Sequence, residues 1–162
     1  MSRLDRTYLD RLYDENSRDR FYIDVSDRDL YDKVKEELMD TKKNRDLFLF
    51  AVAKGFSLKL KKEIEKKEDY LRSEYLSPED FALLYSIAIH DTGKIEIIED
   101  TETIFKIAEE YARGGIHLLA SEIEGLAFGS FAKKYEMDIT NLYNSILVKD
   151  KELLGEWSPI NE

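Results

Sequence analysis

A mainly α-helical fold, one compact domain of five to six helices with one or two short strands, is predicted by three features of the sequence. Apolar residues recur at helical spacings along several stretches, as in Ile104, Phe105, Ile107, Ala108, Tyr111 and Ala112. Charged residues make up 37% of the 162, with only two prolines and seven glycines, which suits a helix-rich surface better than a turn-rich one. Three apolar stretches also run into glycine, at Gly55, Gly93 and Gly114-Gly115. Glycine enters left-handed backbone without a Cβ clash, so all three are expected to be helix stops.

The elements follow in order. Residues 1–20 interleave Arg and Asp with Leu4, Tyr8, Leu9, Leu12 and Tyr13, predicting an amphipathic or partly flexible amino-terminal arm. Residues 21–25 have the composition of a short strand, and Ser26 is expected to cap a helix to about Met39, with Asp29 completing a capping box. Residues 40–44 form a polar connection. The helix over 45–54 should end at Gly55, and the lysine-rich stretch after it has no regular pattern. Ser77-Pro78-Glu79-Asp80 is a firm helix start, because serine caps, proline fits the first position and acidic residues suit the dipole. That helix should close near Gly93.

Residues 95–98 read as a short strand, and Asp100 or Thr101 as the cap of a helix over 104–113. A further helical region spans Ile116 to Phe131, bent or divided around Gly125 and Gly129. Ile139, Leu142, Tyr143, Ile146 and Leu147 outline a last helix begun by Asp138 or Thr140. The expected organisation is an arm over 1–20, a single helical domain over 21–150 and a loose tail over 151–162.

Composition narrows the function classes. A formal net charge of −10 disfavours non-specific binding to a polyanion, because the summed field repels phosphate. With no cysteine, disulfides, thiolate metal sites and cysteine nucleophiles are all excluded. No apolar run approaches the roughly 20 residues that cross a bilayer, and the first residues lack the apolar core of a signal peptide. A cytoplasmic protein without membrane contact is expected.

Few residues carry candidate chemistry. His90-Asp91 ahead of Thr92-Gly93 could pair a base with an orienting carboxylate, although a helix-end role explains the same residues. Glu109-Glu110 and His117 would converge on a divalent cation only if the chain turned back at the double glycine. Adjacent glutamates diverge by about 100° around a helix, so one at most could take part. Gly114-Gly115 lacks the Lys-Ser/Thr pair of a P-loop, which argues against nucleotide binding. No catalytic residue, metal ligand or cofactor is therefore assigned.

Two contact surfaces are candidates instead. Lys54, Lys59, Lys61, Lys62, Lys66 and Lys67 concentrate positive charge and could meet a nucleic-acid backbone, although Glu63, Glu65, Glu68 and Asp69 offset it. Tyr8, Leu9, Leu12, Tyr13 and Tyr22 form the first-choice protein-contact surface, because tyrosine buries a rigid ring and keeps a hydroxyl for a partner.

The order of residues 45–56, then Glu74-Tyr75-Leu76-Ser77-Pro78-Glu79-Asp80, then Ile87-Ala88-Ile89, then Glu109-Glu110-Tyr111-Ala112-Arg113-Gly114-Gly115-Ile116 resembles the family labelled DNA phosphorothioation-associated protein 4. The similarity spans roughly residues 28 to 120. It implies an accessory factor beside prokaryotic DNA sulfur-modification or related defence systems, and supplies no catalytic residues. The leading expectation is a non-enzymatic interaction protein with protein partners in such an assembly, or a homo-oligomer. The alternatives are a DNA-contacting factor using the 54–67 segment and a metal- or histidine-assisted hydrolase at His90, Asp91, Glu109 or His117.

Overall fold

The computed structural model describes residues 18–38, 43–127 and 129–155. Strand β1 (Arg20–Asp24) leads through a 3-10 turn (Val25–Asp27) into α1 (Arg28–Glu37), followed by α2 (Asn44–Ser57) and β2 (Lys67–Arg72). A second 3-10 turn (Ser73–Tyr75), α3 (Pro78–Thr92), a third (Ile95–Glu99), α4 (Thr101–Glu124) and α5 (Ser130–Gly155) complete the order. The fold is mainly α, with one small antiparallel sheet of β1 and β2.

The α2–α4 interface is the centre of the domain. Its cause is glycine, used differently from the expected stops. Neither Gly55 nor Gly114-Gly115 ends a helix: α2 continues to Ser57 and α4 runs unbroken to Glu124. A Cβ on Gly115 would lie 1.7 Å from the Ala51 carbonyl oxygen, and one on Gly55 would lie 2.0 Å from that of Tyr111. The missing Cβ atoms let two backbones touch, the other reason a helix uses glycine. Buried Ala51, Ala108 and Ala112 line the same seam. Gly93 does act as a stop, with φ of 69° and its amide donating to the Ile89 carbonyl.

Around this seam the core is aromatic. Phe21 of β1 lies 4.1 Å from the Phe105 ring and 5.0 Å from Phe48, tying the sheet to α4 and α2. The sheet register skips between Phe21↔Leu71 and Tyr22↔Asp69, leaving Tyr70 as the extra residue of a bulge. Strict alternation would expose one of Tyr70 and Leu71; the bulge turns both inward, and both are buried.

The helix ends show what the sequence set and what it did not. Ser77 and Asp80 form the expected capping box of α3, with Pro78 in its first turn. Asp100 caps α4 by accepting from the Thr103 amide. Ser26 does not cap α1: Asp24 accepts from the Ser26 amide, and Ser26 sits inside the 3-10 turn. Residues 95–98 are likewise 3-10 helix rather than strand, packed against α3 and α4 instead of joining the sheet. The last helix begins at Ser130, eight or more residues before Asp138, after Gly129 at φ 77° closes the connection from α4.

Candidate functional site

The sequence-predicted chemical residues are not brought together. His90 stands edge-on to the Phe56 ring at 5.2 Å. Its neighbour Asp91 instead accepts from Lys61 Nζ at 2.8 Å and from the Tyr111 hydroxyl at 2.5 Å. Burial works to raise the Asp91 carboxyl, but those two hydrogen bonds and the nearby positive charges outweigh it and hold it below its ordinary value. Burial and the Asp91 contact push the Tyr111 hydroxyl up to about 12. This arrangement locks the loop after α2 to α3 and α4.

Glu109 is buried against a different surface, accepting from the Tyr22 amide at 2.7 Å and pairing with Arg18 at 3.0 Å. Burial raises its carboxyl to about 7 despite both contacts. His117 does not follow a turn but lies within α4, its Nε2 3.0 Å from Asp27. One helical turn earlier, Arg113 Nε donates to the same carboxylate at 2.9 Å and its guanidinium reaches Asp24 at 3.4 Å. The four-residue grouping of a hydrolase is thus split among three places. Among the described residues no group of three or more His, Asp or Glu could hold a metal ion.

The lysine segment is fixed from beneath. Asp24 accepts from the amides of Glu65 and Lys66 at 2.8 and 3.1 Å, and Arg113 donates to the Glu63 carbonyl. Hydrogen bonds, chiefly from Ser26 with help from these amides, hold the Asp24 carboxyl far below its ordinary value. Lys54 pairs with Glu122 at 2.5 Å, Lys61 with Asp91, and Lys67 lies over the Tyr22 ring at 5.3 Å. Lys59 and Lys66 are exposed and Lys62 is half-buried.

Positive charge also lines a cleft of about 810 Å³ at the start of α2, through Arg20, Lys35, Lys43, Arg45 and Arg72. Carboxylates answer most of it: Arg20 bonds Asp69, Arg45 bonds Asp80 and Asp46, and Arg72 bonds Glu74. Such pairing leaves little field to draw a phosphate backbone against a net charge of −10.

Of the predicted protein-contact residues, Tyr8, Leu9, Leu12 and Tyr13 lie outside the described residues. Tyr22 is half-buried between Arg18 and Lys67, so its ring is largely used within the domain.

An unpartnered surface lies instead on α5. Phe131 is fully buried, and Tyr135 packs on it at 4.8 Å and on Phe50 at 5.1 Å, its hydroxyl donating to Glu122 at 2.6 Å. These first turns anchor the helix to α2 and α4. Every residue over 136–149 is then exposed. Within that stretch Ile139, Leu142, Tyr143, Ile146 and Leu147 recur at intervals of three and four and are 64, 61, 60, 48 and 39% exposed. That spacing makes one continuous apolar stripe along the helix. The sequence outlines these five residues as a helix but does not say what the stripe packs against.

Residues 27–150 match the protein family described as DNA sulphur modification system-associated protein 4. The chain belongs to that family. No curated protein and no solved structure matches it. The match runs to Asp150, so the exposed stretch of α5 lies inside the DNA sulphur modification system-associated protein 4 region. No helix among the described residues is long and apolar enough to cross a membrane.

Proposed function

We propose that this chain is a non-enzymatic accessory protein of a DNA sulphur modification system that acts by contact, through the apolar stripe of α5. The observation that carries the reading is a helix anchored by two aromatic residues whose remaining length exposes a run of large apolar side chains. Helices in proteins draw most of their stability from packing an amphipathic face, and contiguous exposed apolar surface characterises interaction sites. The dispersal of His90, Asp91, Glu109 and His117 supports the same reading, since each has a local structural partner. The family description supports the setting.

The test is purification of the chain from its native cells with its companions identified. Leu142→Glu with Ile146→Glu should strip companions encoded by the modification system while leaving the melting curve of the domain unchanged. Retention of those companions by the double variant, or recovery of the wild-type chain without any, would overturn the proposal.

A further inference from the structure

The α5 stripe is bounded by charge in an ordered way. Glu136 and Asp138 precede it, both exposed, and Lys149 follows it, also exposed. The midpoint between Asp138 and Lys149 falls between Tyr143 and Asn144. The five apolar residues are centred at the same place. We infer that the stripe is covered by the same stripe of a second copy of this chain, with the two α5 helices antiparallel about an axis beside Tyr143 and Asn144.

The orientation follows from charge. Antiparallel pairing sets Asp138 of one copy against Lys149 of the other. Parallel pairing sets Asp138 beside Asp138 and Lys149 beside Lys149, and like charges held together are unfavourable. Opposed helix dipoles favour the antiparallel arrangement as well. The exposed ion pairs choose the orientation; burial of Ile139, Leu142, Tyr143, Ile146 and Leu147 from both copies supplies the affinity. The rest of the domain does not obstruct the contact, because every residue over 136–149 is exposed.

This inference rests on the reading of α5 as a contact surface, and names what it touches first. The paired helices hold two copies of the α1–α4 body apart at their ends. An interface of two such stripes falls at or below the roughly 1,200 Å² lower limit of standard interfaces, so a reversible dimer with micromolar dissociation is expected.

The experiment is sedimentation equilibrium on the purified full chain from about 1 to 300 μM, a span bracketing micromolar dissociation. Wild type should pass reversibly from monomer to dimer, and Leu142→Glu should remain monomeric. Asp138→Lys and Lys149→Glu should each weaken the dimer by roughly 10-fold, since each places like charges together twice. Asp138→Lys combined with Lys149→Glu should restore it to within about 3-fold of wild type. Unchanged thermal unfolding of every variant shows that association, and not folding, has changed. A chain monomeric throughout, a dimer indifferent to Leu142→Glu, or a double reversal weaker than either single one overturns the inference. Companions lost from native complexes by the stripe variants, with the pure chain monomeric, would remove self-pairing and leave the contact reading standing. A pure chain that dimerises as described but brings down no companions would do the reverse.

Discussion

Gly115→Ala is the sharpest test of the fold. The new methyl would lie 1.7 Å from the Ala51 carbonyl oxygen, 2.6 Å from its carbon and 2.9 Å from the Gly55 nitrogen. Ordinary contact begins near 3.4 Å, so α2 and α4 would have to part by more than an ångström along the main seam of the core. No rotamer change relieves the clash, because every obstacle is backbone. Overpacking costs typically 1–3 kcal/mol, and a backbone clash between two helices belongs at or above the top of that range, about 3 kcal/mol. Alanine returns about 1 kcal/mol of helix propensity, leaving a net loss of at least ~2 kcal/mol. At roughly 2–4 °C per kcal/mol for a domain of this size, the melting temperature should fall by about 4–8 °C.

The control is Gly125→Ala. Its Cβ would meet nothing within 4 Å and its φ is −86°, so it should change stability by less than about 0.5 kcal/mol, or raise it slightly. Thermal and urea denaturation followed by circular dichroism reads both. Equal melting temperatures for the two variants would refute the close-contact account of α2 and α4.

Other outcomes follow from individual groups. The folded Glu109 carboxyl keeps its proton to about pH 7 while the unfolded chain releases it near 4.5, so the stability from burying the neutral acid is complete below pH 4.5 and is lost as pH rises through 7. Glu109→Gln should therefore gain on wild type between pH 5 and 8, by up to ~3 kcal/mol in urea midpoints, and a constant difference would contradict the assignment. Tyr31 is buried with a hydroxyl that finds no hydrogen-bond partner among the described residues, so Tyr31→Phe should be neutral or stabilising by about 1 kcal/mol; a clear loss would reveal a partner. Ser77→Ala should cost about 1 kcal/mol by opening the α3 capping box, and no loss would show that Asp80 with Arg45 suffices. Changing Lys59, Lys62 and Lys66 to Gln should leave companion recovery unchanged, and a DNA-dependent loss would favour nucleic-acid contact at that loop.

Where local chemistry decides an element, the sequence told it correctly. The α3 start at Ser77-Pro78, its stop at Gly93 and the Asp100 cap of α4 each depend on residues within a turn of one another. Gly55 and Gly114-Gly115 were misread because glycine satisfies two physical demands, positive φ and close approach, and only the tertiary partner distinguishes them. Residues 95–98 illustrate the same limit, since a β-branched run becomes a strand only where the fold sets it beside a sheet edge. Asp24 escaped notice as the brace of the lysine segment because the two amides it holds there, those of Glu65 and Lys66, lie some forty residues away. The α5 stripe was visible as a periodicity, but whether a stripe is core or surface depends on what the rest of the chain folds against.

Hydrogen exchange over residues 136–149 addresses the docking role of α5 most directly, comparing the chain in its native complexes with the chain diluted to a free monomer. The account predicts fast exchange along this stretch in the monomer and strong protection in the complex, with α2 and α4 amides slow in both. Equal, rapid exchange of these amides in the two states would show that nothing covers the stripe and would contradict the account.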